Sequence, residues 1–314
     1  MSGTRKGTYK ITNWAEYNNS LVRRGDITYW FDEDALATWE HTNDAVKVGR
    51  PYTYSDTAIE SLLVLRELFR LPYRQTEGLA RSLLKLMEAD VSIPDFTLLA
   101  KRAAKLNVAI KLRDVRGPID VVVDSTGLKV YGEGEWKMRK HGKGKRRTWR
   151  KLHLAVNPAT GQIEAEALTE NSGHDADQVE PLLNQVNTSI DKFYGDGAFD
   201  QRKVYDTLAA RTIQPVIPPR RNAKIIRHGN TTAQAAHPRD VALRIIRGLG
   251  RRWWKVHSGY HRRSLAETAM YRMKSRFGEK LKNRVLANQR TETRLRCKIL
   301  NYFTQLGMPQ FEWS

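Results

Sequence analysis

The chain has 314 residues, 40% of them hydrophobic, which suits one large domain or a catalytic core with smaller additions. Lys and Arg number 54 against 34 Asp and Glu. The resulting net charge of +20 points to nucleic acid rather than an anionic membrane, since no apolar run of roughly 18 residues exists. The lone cysteine, Cys297, excludes an internal disulfide and a Cys-rich zinc site. No Gly-x-x-x-x-Gly-Lys-Ser/Thr loop suggests ATP hydrolysis, and no apolar stretch follows the N-terminal Met-Ser-Gly-Thr-Arg-Lys-Gly, so a cytoplasmic protein is expected.

Residues 1–50 scatter Trp14, Tyr17, Tyr29, Trp30, Phe31 and Trp39 among charges, with short helices fitting 14–24 and 32–40; their role stays open. Residues 51–112 read as helical. Ser55 opens an apolar-periodic run through Phe69, Leu71-Pro72 ends it, a second run follows from Arg74 to Met87, and Ser92-Ile-Pro94-Asp95 starts a third helix near 96–107. Three short helices ending in Lys101, Arg102 and Lys105 resemble a helix-turn-helix unit; a plain bundle is the alternative.

The pattern changes in residues 113–219. Ile119-Asp-Val-Val-Val123 reads as a buried strand ending at Asp124. Leu152–Val156 and Gln162–Leu168 read as strands about the turn Asn157–Gly161. A helix is expected over 175–187, a strand at 192–194 ending in Gly195-Asp196, a helix over 200–210 and a strand at 214–217. Residues 220–262 look like a loop-rich basic insertion. Residues 263–314 hold a helix over 264–277 and a final basic helix near 288–304. This order predicts an α/β fold, a mixed sheet covered by helices.

Asp124 and Asp196 each follow a short apolar run and sit among small residues, where a carboxylate can hold a hard cation at the sheet's edge. A single aspartate there is more often a turn residue; two in so basic a chain favour function. Seven residues turn an ideal helix by roughly 700°, so Glu267 and Lys274 share a face. Ser264-Leu-Ala-Glu267 also fits a capping box, a competing use of the same carboxylate.

The spacing Tyr260-x2-Arg263-x3-Glu267-x6-Lys274 resembles the Tyr-Arg-Glu-Lys signature of bacterial insertion-sequence transposases of the DDE type. Val123-Asp124-Ser-Thr-Gly127, Tyr194-Gly-Asp196-Gly-Ala-Phe-Asp200 and Ile217-Pro-Pro-Arg220 resemble the same group, within insertion-sequence family five, over roughly residues 50 to 305. The resemblance implies a ribonuclease H-like core, with Asp124, Asp196 and Glu267 as the catalytic, metal-binding triad for two Mg2+ or Mn2+ ions. It implies that Tyr260, Arg263 and Lys274 contact the element's DNA end. The implied partners are double-stranded DNA, as terminal inverted repeats and target, and further copies of the chain in a dimer or higher oligomer on that DNA. The setting would be the bacterial nucleoid.

Other segments carry less. His174-Asp175-Ala-Asp177 reads as a helix start rather than a metal cluster, and Asp200 as a helix cap. The basic run 137–151 includes Lys143, Arg146, Arg147, Trp149 and Arg150, read as DNA-contacting because aromatics interleave with the charge; a solvated, disordered face is the alternative. Arg251-Arg-Trp-Trp-Lys255 fits either a wedge between bases or a core anchor. Two rival functions remain: a non-catalytic sequence-specific DNA-binding protein, and a nuclease that cuts without joining.

Overall fold

A computed structural model describes residues 9–42, 51–130, 149–225 and 237–313. The chain divides into two compact units, 1–111 with 298–314, and 112–297.

In the first unit, β1 (Tyr9–Ile11) pairs antiparallel with the C-terminal strand Phe311–Trp313. Helices α1 (Trp14–Arg23) and α2 (Glu33–Ala37) follow. Then come α3 (Asp56–Leu68), α4 (Tyr73–Leu86) and α5 (Phe96–Ala103), which pack on one another. Side-chain caps start α3 and α5: Ser55 accepts from the Ala58 amide, and Asp95 from those of Thr97 and Leu98. α3 is buried on nearly every side, which marks it as the central helix. Three of the N-terminal aromatics that the sequence left without a role are core: Trp30, Phe31 and Trp39 are buried, Trp39 donates to the Ser92 carbonyl at 2.8 Å, and Trp14 and Tyr29 stay exposed. Arg102 turns inward to Asp56 (2.7 Å) and the Tyr54 carbonyl (2.8 Å), whereas Lys101 and Lys105 stay exposed.

The second unit is built on a six-stranded mixed sheet. Its strands are β2 (Ile119–Val130), β3 (Trp149–Val156), β4 (Ile163–Glu170), β5 (Ile190–Tyr194), β6 (Gln214–Val216) and β7 (Lys280–Leu281). The order is β4-β3-β2-β5-β6, with β2, β3 and β4 antiparallel, β5 and β6 parallel to β2, and β7 pairing β2 farther along. This is the ribonuclease H-like sheet flanked by helices. On one face, Val121, Val123, Ala155, Ala165 and Phe193 pack with α6 (Val179–Leu183) and α7 (Arg202–Ala209) through Val179, Leu182, Val204 and Leu208. The insertion contributes α8 (Pro238–Leu249) and α9 (Arg251–His257). On the opposite face α10 (Ser264–Phe277) lies against β2 and β3, burying Ala266, Ala269, Met270, Met273 and Phe277 at helical spacing. Helix α11 (Leu286–Leu306) follows, with its residues up to 297 in this unit and those from 298 in the first.

Four expectations need correction. β2 does not end at Asp124: the ladder to β3 continues from Asp124↔Leu154 to Lys129↔Trp149, so main-chain pairing carries a polar stretch that apolar pattern cannot reveal. The helix expected over 175–187 is a 3-10 turn, Asp175–Gln178, followed by only five α-helical residues; Pro181 has no N–H to give. The insertion is helical over 238–257, where Pro238 occupies the first turn and Gly250, at φ 87°, ends α8. Asp200 caps no helix; the residue before α7 is Gln201, and Asp200 has other partners. The final helix is basic by composition, but Arg296 is buried on Glu292.

Candidate active site

The site forms where β2 lacks a strand neighbour on one side. β5 pairs with β2 only as far as Val122↔Tyr194, and β7 begins at Lys129, so Asp124 lies in the interval between them. Asp124 shares its face with Asp120 and Val122 by strand alternation, the face on which α10 packs. Asp196 stands two residues past the end of β5. There it caps the 3-10 turn Gly197–Phe199, accepting from the Ala198 amide at 2.8 Å. Gly195 is required beside it: a Cβ would come within 2.7 Å of the Phe199 ring, which meets Phe193 edge-on.

Glu267 lies in the first turn of α10. The preceding 3-10 turn, Tyr260–Arg263, supplies Tyr260 and Arg263. The capping box is not formed: Ser264 donates its hydroxyl to the His261 carbonyl, and Glu267 pairs with Arg263. The same guanidinium donates to Asp124 Oδ2 at 2.9 Å. Arg263 therefore joins two of the three carboxylates. The charge of Asp196 reaches that guanidinium as well, and also reaches Asp124 and Tyr260.

Burial pushes the Asp124 carboxyl above its usual pKa. The Ser125 amide and Arg263 oppose the shift, while Asp196 and Glu267 add to it. Burial likewise raises the Tyr260 hydroxyl. Among the described residues no ready-made cluster of three metal-ligating groups is present. The donor set nonetheless suits a hard divalent cation. It consists of carboxylate oxygens, its like charges disfavour one another, and a guanidinium already bridges two of them.

Lys274 lies two turns beyond Glu267 on α10 and is half-buried. Trp149 and Arg150 open β3. Lys129 Nζ stands 5.6 Å from the Trp149 ring centre, and Arg150 donates to Gln289 at 2.9 Å, so both side chains have partners within the unit. Lys143, Arg146 and Arg147 lie outside the described residues. In the Arg251–Lys255 stretch the two tryptophans separate: Trp254 is buried beside Tyr260, and the more exposed Trp253 stacks on His257 at 3.6 Å.

Sequence reasoning missed the partners of one group, Asp175, which it read as part of a helix start, and missed a second group altogether. Asp175 takes Lys151 at 2.8 Å and lies 3.1 Å from His153 Nδ1. Despite burial, His153, Lys151 and Ser125 hold its carboxyl well below the usual range. Ser125 thus ties the reverse side of β2, directly behind Asp124, to this network. The other group is Glu166, which shares a cross-sheet row with Asp124 through Leu154. Burial pushes its pKa up to about 7 against the pull of Arg294, a hydrogen bond from Thr293 and the pull of Arg290.

For an acid whose folded pKa exceeds the unfolded value of 4.5, ionisation favours the unfolded chain, so stability falls as pH rises from that value through about 7. Between about pH 5 and pH 8 the fall due to Glu166 is on the order of 2 kcal/mol. Urea unfolding of the wild type and Glu166→Gln across that range checks it; parallel pH profiles would rule the effect out.

Two family models, both described as a transposase DDE domain, match residues 22–133 and 116–303, the second alone more than half of the chain. Among solved structures, a piggyBac transposase synaptic complex with hairpin DNA aligns at 12% identity and a TM-score of 0.43, over 95% of this chain and 77% of that one. The Mos1 mariner paired end complex with Mn aligns at 13% identity and a TM-score of 0.21, over 90% and 87%. No described helix is long and apolar enough to cross a membrane. From the family match, the chain belongs to the transposases with a DDE domain.

Proposed function

We propose that this transposase binds the terminal inverted repeats of an insertion sequence, of family-five type, and carries out metal-dependent cleavage and strand transfer at Asp124, Asp196 and Glu267. The observation that carries the reading is the convergence on Arg263: it bonds Asp124 and Glu267, and the charge of Asp196 reaches it. Two Mg2+ or Mn2+ ions held by the three carboxylates would activate the attacking oxygen and stabilise the leaving one.

The chain's own groups supply the rest. The fork of Arg263 fits a phosphate as well as it fits a carboxylate, which suits it to the scissile strand. Tyr260 beside it, and Lys274 farther along α10, would hold the flanking backbone and fix the approach of the reacting ends. The net charge of +20 draws in a long polyanion, the double-stranded repeat first and the target second. The exposed Lys101 of α5 and Lys105 just after it fit contacts from a helix-turn-helix-like unit. Two ends must meet, so the working form is a dimer or larger assembly on nucleoid DNA. Trp149, Arg150, Lys143, Arg146 and Arg147 are assigned to the same DNA path.

The test is incubation with Mn2+, a supercoiled target and DNA carrying the inverted repeats that bracket the reading frame. Nicking at the repeat end followed by joined product is expected. Binding with no cleavage would favour a non-catalytic DNA-binding protein, and cleavage with no joining a nuclease.

A further inference from the structure

We propose that Asp120 is the positioning residue of the reaction centre: its single carboxylate ties together the three elements that deliver Asp124, Asp196 and Glu267. The inference rests on the reading of those three acids as the centre.

Asp120 lies on β2 four residues before Asp124 and on the same face. Its Oδ2 accepts from Arg262 Nη1 at 2.6 Å and from the Tyr194 hydroxyl at 3.4 Å. Each partner belongs to a different element of the site. Tyr194 is the last residue of β5, opposite Val122, and only Gly195 separates it from Asp196. Arg262 belongs to the 3-10 turn Tyr260–Arg263, which leads directly into the first turn of α10, where Glu267 sits.

The consecutive arginines of that turn thus grip the two aspartates of one strand, Arg262 on Asp120 and Arg263 on Asp124. The turn is also seated against β5. Gly259, at φ 69°, enters it in the left-handed region, and a Cβ there would stand 3.6 Å from the Tyr194 hydroxyl.

Because Arg262 is 56% exposed, the pair contributes little to global stability. Its weight lies in alignment, since Asp120 touches none of the three acids yet fixes the bodies that carry them. A misplacement of about 1 Å at a reacting centre costs roughly a hundredfold in rate.

The experiment compares wild type, Asp120→Ala, Asp120→Asn, Arg262→Ala, the Asp120→Ala/Arg262→Ala double variant and Asp196→Ala. The readouts are calorimetric Mn2+ binding by the DNA-free protein, cleavage of repeat-end DNA, and thermal midpoint. Asp120→Ala is expected to keep its midpoint within about 3 °C, to bind Mn2+ roughly tenfold more weakly and to cleave about 30- to 100-fold more slowly. Arg262→Ala should act alike, and the double variant should be no worse than either single one. Asp120→Asn keeps an acceptor oxygen and should recover most of the loss.

An Asp120→Ala protein with wild-type Mn2+ affinity and cleavage, in a series where Asp196→Ala is inactive, overturns the positioning role alone. A wild-type protein that binds no Mn2+ and cuts no DNA overturns the reaction-centre reading, and the positioning role with it.

Discussion

Asp196→Ala is expected to abolish strand joining and to slow cleavage by about a thousandfold, with the repeat-end DNA still bound. The magnitude follows from what the carboxylate does. Charge stabilisation at the transferring phosphoryl group is worth several kcal/mol, and each 1.36 kcal/mol is a factor of ten in rate. Removing Asp196 costs the fold little, since its structural bond is one cap to the Ala198 amide on a short turn. Gel-shift affinity should therefore hold within a few-fold, because affinity for the polyanion comes from basic residues spread over the chain. Asp124→Asn should behave alike. Retained joining in Asp196→Ala would remove that acid from the triad; lost DNA binding would point to misfolding instead.

The mixed α/β order was legible in the sequence, because strand and helix periodicities are local; the contacts at the candidate site were not. Glu267 and Lys274 could be placed on one helix face from spacing alone, whereas Tyr260 and Arg263 entered through the resemblance; of the four, Arg263 and Glu267 pair directly in the structure. That Asp124 belongs with them was readable from the resemblance, but its contact with Arg263 depends on how α10 crosses β2, which no local pattern encodes. Glu267 could cap its own helix or serve as a metal-binding carboxylate; in the structure the cap is not formed, and the carboxylate pairs with Arg263 of the preceding 3-10 turn.

The same physics explains the misreadings. The polar and glycine residues 124–127 do not look like a strand, yet pairing with β3 satisfies their backbone. Arg102 was read only as part of a basic helix end and Arg296 as part of a basic final helix, yet both are buried on the acids Asp56 and Glu292. The roles of Asp120 and Asp175 escaped notice for the complementary reason: one is an ordinary strand aspartate in sequence and the other an ordinary helix-start aspartate, and their partners are Arg262 on one side and Lys151 with His153 on the other.

Asp200 shows how far a side chain's role can lie from its local pattern, and the structure makes its loss costly. Read in sequence it caps a helix; in the fold its fully buried carboxylate anchors the chain after β6 and the start of α8. Oδ1 accepts from Arg239 Nε at 2.7 Å and the Tyr205 hydroxyl at 3.1 Å, and Oδ2 from the Arg220 amide at 2.9 Å and Arg239 Nη2 at 3.3 Å. The pairing lifts the Arg239 guanidinium, chiefly through the Asp200 hydrogen bonds, while burial and the negative charge of Asp200 raise the Tyr205 hydroxyl far above its usual value.

Asp200→Ala strands a largely buried guanidinium, a main-chain amide and a buried phenol at once. Breaking one partner of a buried pair costs about 3–5 kcal/mol, so a loss of about 3 kcal/mol in urea unfolding is expected, with Arg239 itself 15% exposed and able to recover some hydration. Asp200→Asn, which keeps one carbonyl acceptor, should lose less. Because Asp200 lies four residues past Asp196, the destabilised variant should also show loosened protection at the Gly197–Phe199 turn by hydrogen exchange, before global unfolding. An Asp200→Ala protein as stable as wild type would mean that Arg239 finds another acceptor, and that the junction between β6 and α8 is held by something other than this carboxylate.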